Sequence, residues 1–398
     1  MRTEVATYHA RAIMLRRGVL ALCFAFYLLG AKPAGAQGPR FAEIDVPASN
    51  GNGTLPIAVN LEGTVTGWYW DASGVTHGFV RCADGKITPF DAPGAGTNPN
   101  NFGGTIPVGI NNLGAVAGYQ NDENGVSHAF IRTADGKYKM FDAPGADVNP
   151  ADRLGTLVSG INDLGAISGY YFDTAALAHG FVLQPNGKFT SFEVTGAAHL
   201  GTVPDGPLNW AGELGGFYKD ANSQFHLFVR DPRGKITAFD GPGMCTTGTP
   251  NGCYGGGIYD VNIFGNSVGA FMDNSGNFVS HQLLRKADGK ITTWEAPGAG
   301  SGPYQGTGFN DTPTLGYPVG SLNTGGTVAS MYVDSNYVHH GYIRTPDGQF
   351  TSFDAPNADV NPADQVGTWP TSINDLGVVT GWYIDATFTI RGFIRSPW

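Results

Sequence analysis

Seven aspartates in this chain share one local setting, and most are followed at a fixed distance by a histidine. Asp71, Asp122, Asp173, Asp220 and Asp334 precede His77, His128, His179, His226 and His340 by six residues; Asp273 meets His281 after eight, and Asp385 meets Arg391 after six. An acid beside an imidazole suits proton transfer, activation of a nucleophile or metal ligation. Such chemistry is needed once per site, whereas this pairing recurs in every copy. A hydrogen bond that holds the same hairpin in each copy accounts for the recurrence, and Arg391 can still donate to Asp385. Calcium binding by the seven aspartates is disfavoured as well. Hard cations want several oxygens close together, and no loop shows a D-x-D-x-D-G series.

Other chemical strings carry less. Gly265-Asn266-Ser267-Val268-Gly269 matches the G-x-S-x-G of a nucleophile elbow, which needs a strand, a strained turn and a helix. Ser267 instead aligns with Val116, inside a strand. The near-identical stretches 142–156 and 354–368 carry Asp147, Asn149 and Asp152, and Asp359, Asn361 and Asp364, which read as Asn-Pro and Asx turns rather than cation sites. No P-loop, H-E-x-x-H, paired C-x-x-C or dinucleotide fingerprint occurs. No catalytic residue, metal ligand or cofactor is therefore assigned. A polysaccharide-cleaving site would need two nearby carboxylates. After residue 36 the glutamates are Glu43, Glu62, Glu123, Glu193, Glu213 and Glu295. Glu193 and Glu295 replace a repeated aspartate, and Glu213 alone stands where alanines (Ala115, Ala166) occur.

The elements that position these groups follow from composition and spacing. Gly 60 and Pro 25 make about a fifth of 398 residues, without a Gly-X-Y period, and leave little room for long helices. The chain is all-β and rich in turns. Asn60, Asn111, Asn162, Asn209, Asn262, Asn323 and Asn374 are each followed by Gly three residues later and Asp eleven later. An acid after an aromatic recurs at Asp91, Asp142, Glu193, Asp240, Glu295 and Asp354, giving a unit of about fifty residues. Within 105–144, TIPVGIN, AVAGYQ, HAFIR and KYKMFDAP are separated by Asn-x-x-Gly, Asp and Asp-Gly turns, so each unit holds four short strands. Seven such units predict a seven-bladed β-propeller. The last unit ends at GFIRSPW without a fourth strand, and FAEIDVP (41–47) is a strand without a unit. The N-terminal strand is expected to close the last blade, making residues 41–398 a single domain. Aromatic strings at 68–70, 170–172 and 382–383 fall in the second strands and are expected in the core.

The repeated tripeptide His128-Ala129-Phe130 returns as HGF at 77–79 and 179–181, then drifts to HLF (226–228), HQL (281–283) and HGY (340–342), with Arg391 in the last copy. From Asn60 onward the pattern resembles the HAF-repeat family of extracellular bacterial proteins. That resemblance implies an exported protein with a repeated β unit and carries over no activity to any residue here.

Export is also read directly from the N-terminus. Arg16 and Arg17 precede the apolar run 18–30, and Ala34-Gly35-Ala36 follows as a small-x-small cleavage site. Residues 1–36 are read as a signal peptide, with Met14 an alternative start to Met1 and a lipoprotein at Cys23 disfavoured by Leu22. The run is too short to span a bilayer, and no membrane span is expected. The product is expected to be a secreted or periplasmic monomer. Cleavage removes five basic residues and one acid and moves the net charge from −10 to −14, which argues against nucleic acid as partner. An oxidising compartment makes a Cys245–Cys253 bridge plausible, while Cys82 reads as an exposed turn position without a chemical duty.

Function in a repeat protein should show as departure from the repeat. Segments 241–257 and 296–317 depart most, and both read as blade-to-blade crossings. They supply Tyr254, Tyr304, Phe309, Asn310, Asp311 and Tyr317, aromatic platforms and short polar groups suited to a glycan or a peptide. The expectation is a binding or scaffold module recognising glycan or protein, with a glycoside hydrolase or lyase as the rival class.

Overall fold

The computed structural model describes residues 38–246, 253, 255–308 and 320–397, with the backbone alone for His199. Residues 1–36, read from the sequence as a signal peptide, lie outside them. Apart from the single 3-10 turns Pro47–Ser49 and Pro99–Asn101, the regular elements are β-strands. The third unit shows the plan. Thr156–Ile161, Ile167–Phe172, Ala178–Leu183 and Phe189–Phe192 pair in order, each antiparallel to the next. The first strand of each unit is innermost and the fourth outermost.

Each Asn-x-x-Gly turn explains itself in local terms. In the first, the Asn60 side-chain oxygen accepts the N–H groups of Glu62 and Thr64 at 3.1 and 2.9 Å, and Gly63 takes the left-handed φ of 80°. The Asn60 amide then donates outward, to the carbonyl of Asn111 at 3.2 Å. Asn111 donates to Asn162, Asn162 to Asn209, Asn209 to Asn262, Asn262 to Asn323, and Asn323 to Asn374. Asn374 donates back to Asn60 at 2.8 Å. One residue type thus caps its own turn and ties its unit to the next.

A second tie runs along the crossings. The inner-strand hydroxyls of Thr105, Thr156, Thr202, Thr307 and Thr368 accept the N–H that follows the acid of the preceding unit, at Ala92, Ala143, Val194, Ala296 and Ala355. Apolar clusters fill the spaces between units; one joins Ala117 and Ala129 with Ile167, Tyr171 and Phe181. Among the second-strand aromatics Trp68, Tyr69, Tyr171, Trp382 and Tyr383 are buried, whereas Trp70, Tyr170 and Phe172 are only partly so.

At the ends of the chain, Arg40–Ile44 pairs antiparallel with Ile390–Ser396, Arg40 opposite Ser396 and Ile44 opposite Gly392. The sheet that contains it has four strands.

Two expectations are corrected. Cys82 is buried, not an exposed turn residue, and among the described residues no cysteine is a free thiol. The long segment before unit six is not all crossing. The crossing ends at Gly306, where Thr307 already accepts from Ala296 as a first inner-strand residue does. Gly308 then bonds to the carbonyl of Met331, and the inner strand resumes at Ser321–Leu322. The extra residues therefore depart from within the innermost strand. Units one, two, three, five and seven carry a β-bulge at this place, at Pro56/Ala58 in the first. A ladder already interrupted by a bulge admits an insertion at little cost.

Candidate functional site

The repeated histidines hold a clasp. Each imidazole sits between two acids: Nδ1 of His77 lies 2.8 Å from Asp91, and Nε2 lies 3.5 Å from Asp71. The closer partner in every copy is the acid fourteen residues later, at 2.5 to 2.9 Å. The reading of the hairpin aspartate as main partner is corrected accordingly. That aspartate is occupied by its own turn; Asp71 accepts the N–H groups of Ser73 and Val75 at 2.8 and 3.0 Å. In unit seven Arg391 replaces the imidazole, donating to Asp385 at 2.6 Å and lying 3.3 and 3.4 Å from Glu43 and Asp45. Hydrogen bonds to Asp91, Asp142 and Glu295 raise the pKa of His77, His128 and His281. For His340 burial opposes the rise, and the bond to Asp354 prevails. Every copy is satisfied in the same way, so the clasp is structural. The constant spacing of fourteen is visible in the sequence and marks it.

A different place breaks the repeat. The asparagine turns enclose a pocket of about 210 Å³ whose wall takes residues from all seven units, among them Leu61, Asn112, Asp163, Trp210, Asp260, Thr324 and Asp375. Asp260 accepts from the N–H groups of Val261 and Leu322 and the hydroxyl of Ser321 at 2.8, 2.9 and 3.0 Å. Burial nevertheless pushes its carboxyl up to about 6, with the charge of Asp375 adding to the shift.

Two residues before Pro207, which lines the pocket, stands Asp205. In units one, two, three and seven the inner-strand threonine and the turn asparagine are six residues apart; from Thr202 to Asn209 they are seven. Asp205 falls in that irregular stretch, just past Ala197–Pro204, and points toward unit five. A Cβ at Gly257 would lie 2.4 Å from its Oδ2, and one at Gly206 would lie 1.9 Å from the carbonyl oxygen of Tyr259, so both contacts require glycine. Among the described residues nothing donates a hydrogen bond to this carboxyl, and burial pushes it up to about 8. Burial raises the hydroxyls of Tyr170 and Tyr259, and the nearby Asp205 adds to both shifts. The arrangement sets a carboxyl with a raised pKa beside two tyrosines, next in sequence to residues that line the pocket. Sequence reading weighed only glutamates here; the seven-residue spacing in unit four was the available signal. Glu213, by contrast, accepts from the side chain of Asn209 at 2.7 Å and supports the turn.

Of the loop residues singled out by sequence, Tyr304 alone is described. It is half-buried, holds a φ of 59°, and stacks on Phe278 with ring centroids 5.8 Å apart. Tyr254, Phe309, Asn310, Asp311 and Tyr317 lie outside the described residues. Cys245 and Cys253 are bridged, with Cα atoms 6.0 Å apart. Ser267 is a buried strand residue. In the 142–156 loop Asp147 accepts the N–H of Asn149 at 2.8 Å, and the Asn149 amide donates to Asp152 at 2.5 Å, as Asx turns require. The 354–368 loop repeats both bonds.

No family model matches the chain, and no curated protein matches it. Solved structures do. Puromycin hydrolase, as its S511A mutant complexed with PGG, aligns at TM-score 0.53 with 14% identity over 83% of this chain and 50% of that one. The β-propeller domain of the Trilobed protease from Pyrococcus furiosus aligns at 0.47 with 10% identity over 86% and 95%. The lectin BP39L from Burkholderia pseudomallei aligns at 0.47 with 8% identity over 85% and 98%. At such identities the likeness is one of fold. The chain is an all-β protein of repeated four-stranded units with propellers among its structural neighbours.

Proposed function

We propose that the protein is an exported seven-bladed β-propeller, closed by its N-terminal strand, that binds the end of a glycan in the axial pocket. Closure is supported by the asparagine bonds that run through seven units and return to Asn60, and by the pairing of Arg40–Ile44 with Ile390–Ser396. Export is supported by the signal-like N-terminus and by the Cys245–Cys253 bridge. The resemblance to HAF-repeat proteins agrees with both.

The observation that carries the binding reading is Asp205. A half-buried carboxyl that accepts no hydrogen bond among the described residues weakens the fold, and a ligand that completes its hydrogen bonding recovers that loss. A protonated acid beside Tyr170 and Tyr259 offers both a donor and acceptors, which suits neutral hydroxyl groups. Titration calorimetry against a panel of neutral oligosaccharides tests this. At least one should bind, and Asp205→Asn should weaken it by about 1–3 kcal/mol while raising the melting temperature at pH 7, where the native carboxyl is strained. A panel without a binder, or an Asp205→Asn variant that binds as tightly as the native protein, would overturn the assignment.

One observation favours an enzyme as the second reading. Asp205 packs against Gly257, three residues from Asp260 along the same strand, about 10 Å of backbone. A carboxyl with a raised pKa and a second carboxyl on the facing strand are the kinds of group that an inverting glycosidase uses as acid and base. Release of reducing ends from the same panel, lost in both Asp205→Asn and Asp260→Asn, would favour it.

A further inference from the structure

The hairpin after each second strand and the crossing that enters the next inner strand lie on one face, opposite the asparagine turns. Their proximity is explicit: the N–H groups of Ser127, Ser280 and His339, which open third strands, bond to the carbonyls of Leu154, Gln305 and Val366 at the ends of crossings. At each hairpin and each crossing one residue takes the left-handed conformation. Some units use glycine there, at Gly51, Gly74 and Gly125. Others place Arg153, Ala176, Ser223 or Gln365 there, one places Tyr337, which packs against the core, and the rest place a large aromatic: Phe102 at φ 54°, Phe278 at 54°, Tyr304 at 59° and Phe388 at 58°.

Folding does not ask for these rings. A bulky side chain at such a φ costs on the order of 1 kcal/mol that glycine avoids. Nor does burial reward them, since Phe102 is 77% exposed and Phe388 62% exposed. Phe278 and Tyr304, from adjoining units, stack on one another and make a wider platform. We propose that these three platforms, at the junctions of units one and two, five and six, and seven and one, are contact sites for the pyranose rings of a neutral polysaccharide.

The chemistry on the page selects that occupant. An aromatic face attracts the weakly positive C–H face of a sugar ring. Around the platforms acids, amides and a hydroxyl outnumber the cations: Asn101 and Glu123 near Phe102 with Arg153 beside them, Asn277 beside Phe278, and Asp385 and Thr387 before Phe388 with Arg391 already paired to Asp385. That surroundings and a net charge of −10 disfavour a polyanion. A protein partner would need a continuous patch of roughly 800 Å², whereas these platforms belong to separate junctions. Separate equivalent sites suit a ligand that repeats, and a polymer spanning two of them gains by avidity. The inference is independent of the axial pocket, which lies on the opposite face.

Affinity electrophoresis tests it, in native gels cast with hydroxyethyl cellulose, galactomannan or xyloglucan, and with alginate as the polyanion. At least one neutral polymer should retard the native protein. Phe102→Gly or Phe388→Gly should weaken retardation by about tenfold without lowering the melting temperature, because glycine relieves the backbone. Removing all four rings should abolish it. The proposal is overturned if no neutral polymer retards the protein, if alginate retards it at least as strongly, or if the four-ring variant migrates as the native protein does.

Discussion

Each imidazole of the clasp ties the hairpin of its unit to the outermost strand through two acids, and that makes stability depend on pH in a defined direction. His77, His128, His281 and His340 have folded pKa values above 6.5, so their contribution is fully present below 6.5 and is lost as pH rises through the raised values. The hairpin acids behave oppositely. Backbone N–H groups lower Asp71, Asp122, Asp173 and Asp334 against the effect of burial, so their contribution is present above 3.8 and fades as pH falls. The clasps should therefore be strongest between about pH 4 and 6.5, each contributing less than ~1 kcal/mol because the groups are partly exposed. Melting curves from pH 4 to 9 should show stability declining above 6.5, and His128→Gln together with His77→Gln should flatten that decline. A decline unchanged in the double variant would place its origin elsewhere, in Asp205 and Asp260 first of all. Their raised values also make folding less favourable as pH rises from 3.8 through 8.

At the level of the element, the terminal strand and the asparagine turn do different work. Arg40–Ile44 brings Phe41 within 6.0 Å of Phe393 and 5.9 Å of Phe353, and Glu43 accepts from Tyr383 at 2.8 Å. Its loss strips an edge from unit seven and opens Arg391 to water. Deleting residues 38–46 should lower the global denaturation midpoint, by several kcal/mol of stability, rather than fray a tail. An unchanged midpoint would show the strand to be dispensable. Asn111→Ala removes a turn cap and an inter-unit bond together, and should destabilise by about 1–3 kcal/mol. Asn112→Ala, whose residue is exposed, should cost less.

For the whole molecule, the proposed closure would make unfolding cooperative. In an open repeat array each unit contacts only its neighbours and can unfold from an end. Bonds that return from Asn374 to Asn60 remove both ends, so calorimetry should record one transition, with equal calorimetric and van't Hoff enthalpies. Opening the ring by the 38–46 deletion should broaden or split it. Two well-separated transitions in the native protein would contradict closure.

The repeat itself was legible from residues alone, because each turn is local chemistry: an Asn that caps the N–H groups two and four residues on and a Gly three residues on need no distant partner. The pairing of the first strand with the last was legible too, since incomplete ends in a repeat imply one another. The clasp was half legible; spacing showed that His128 recurs, but Asp142 as its nearer partner depends on how the third and fourth strands register. Three features were decided only in three dimensions. The burial of Cys82 depends on the hairpin it enters, and the insertion before Ser321 belongs to an inner strand because a bulge, not a crossing, tolerates it. Asp205 became a candidate only when the inner strand of unit four was set against Gly257 and Tyr259. A carboxyl is chemically ordinary until its neighbours remove water from it, and those neighbours lie more than fifty residues away in the sequence.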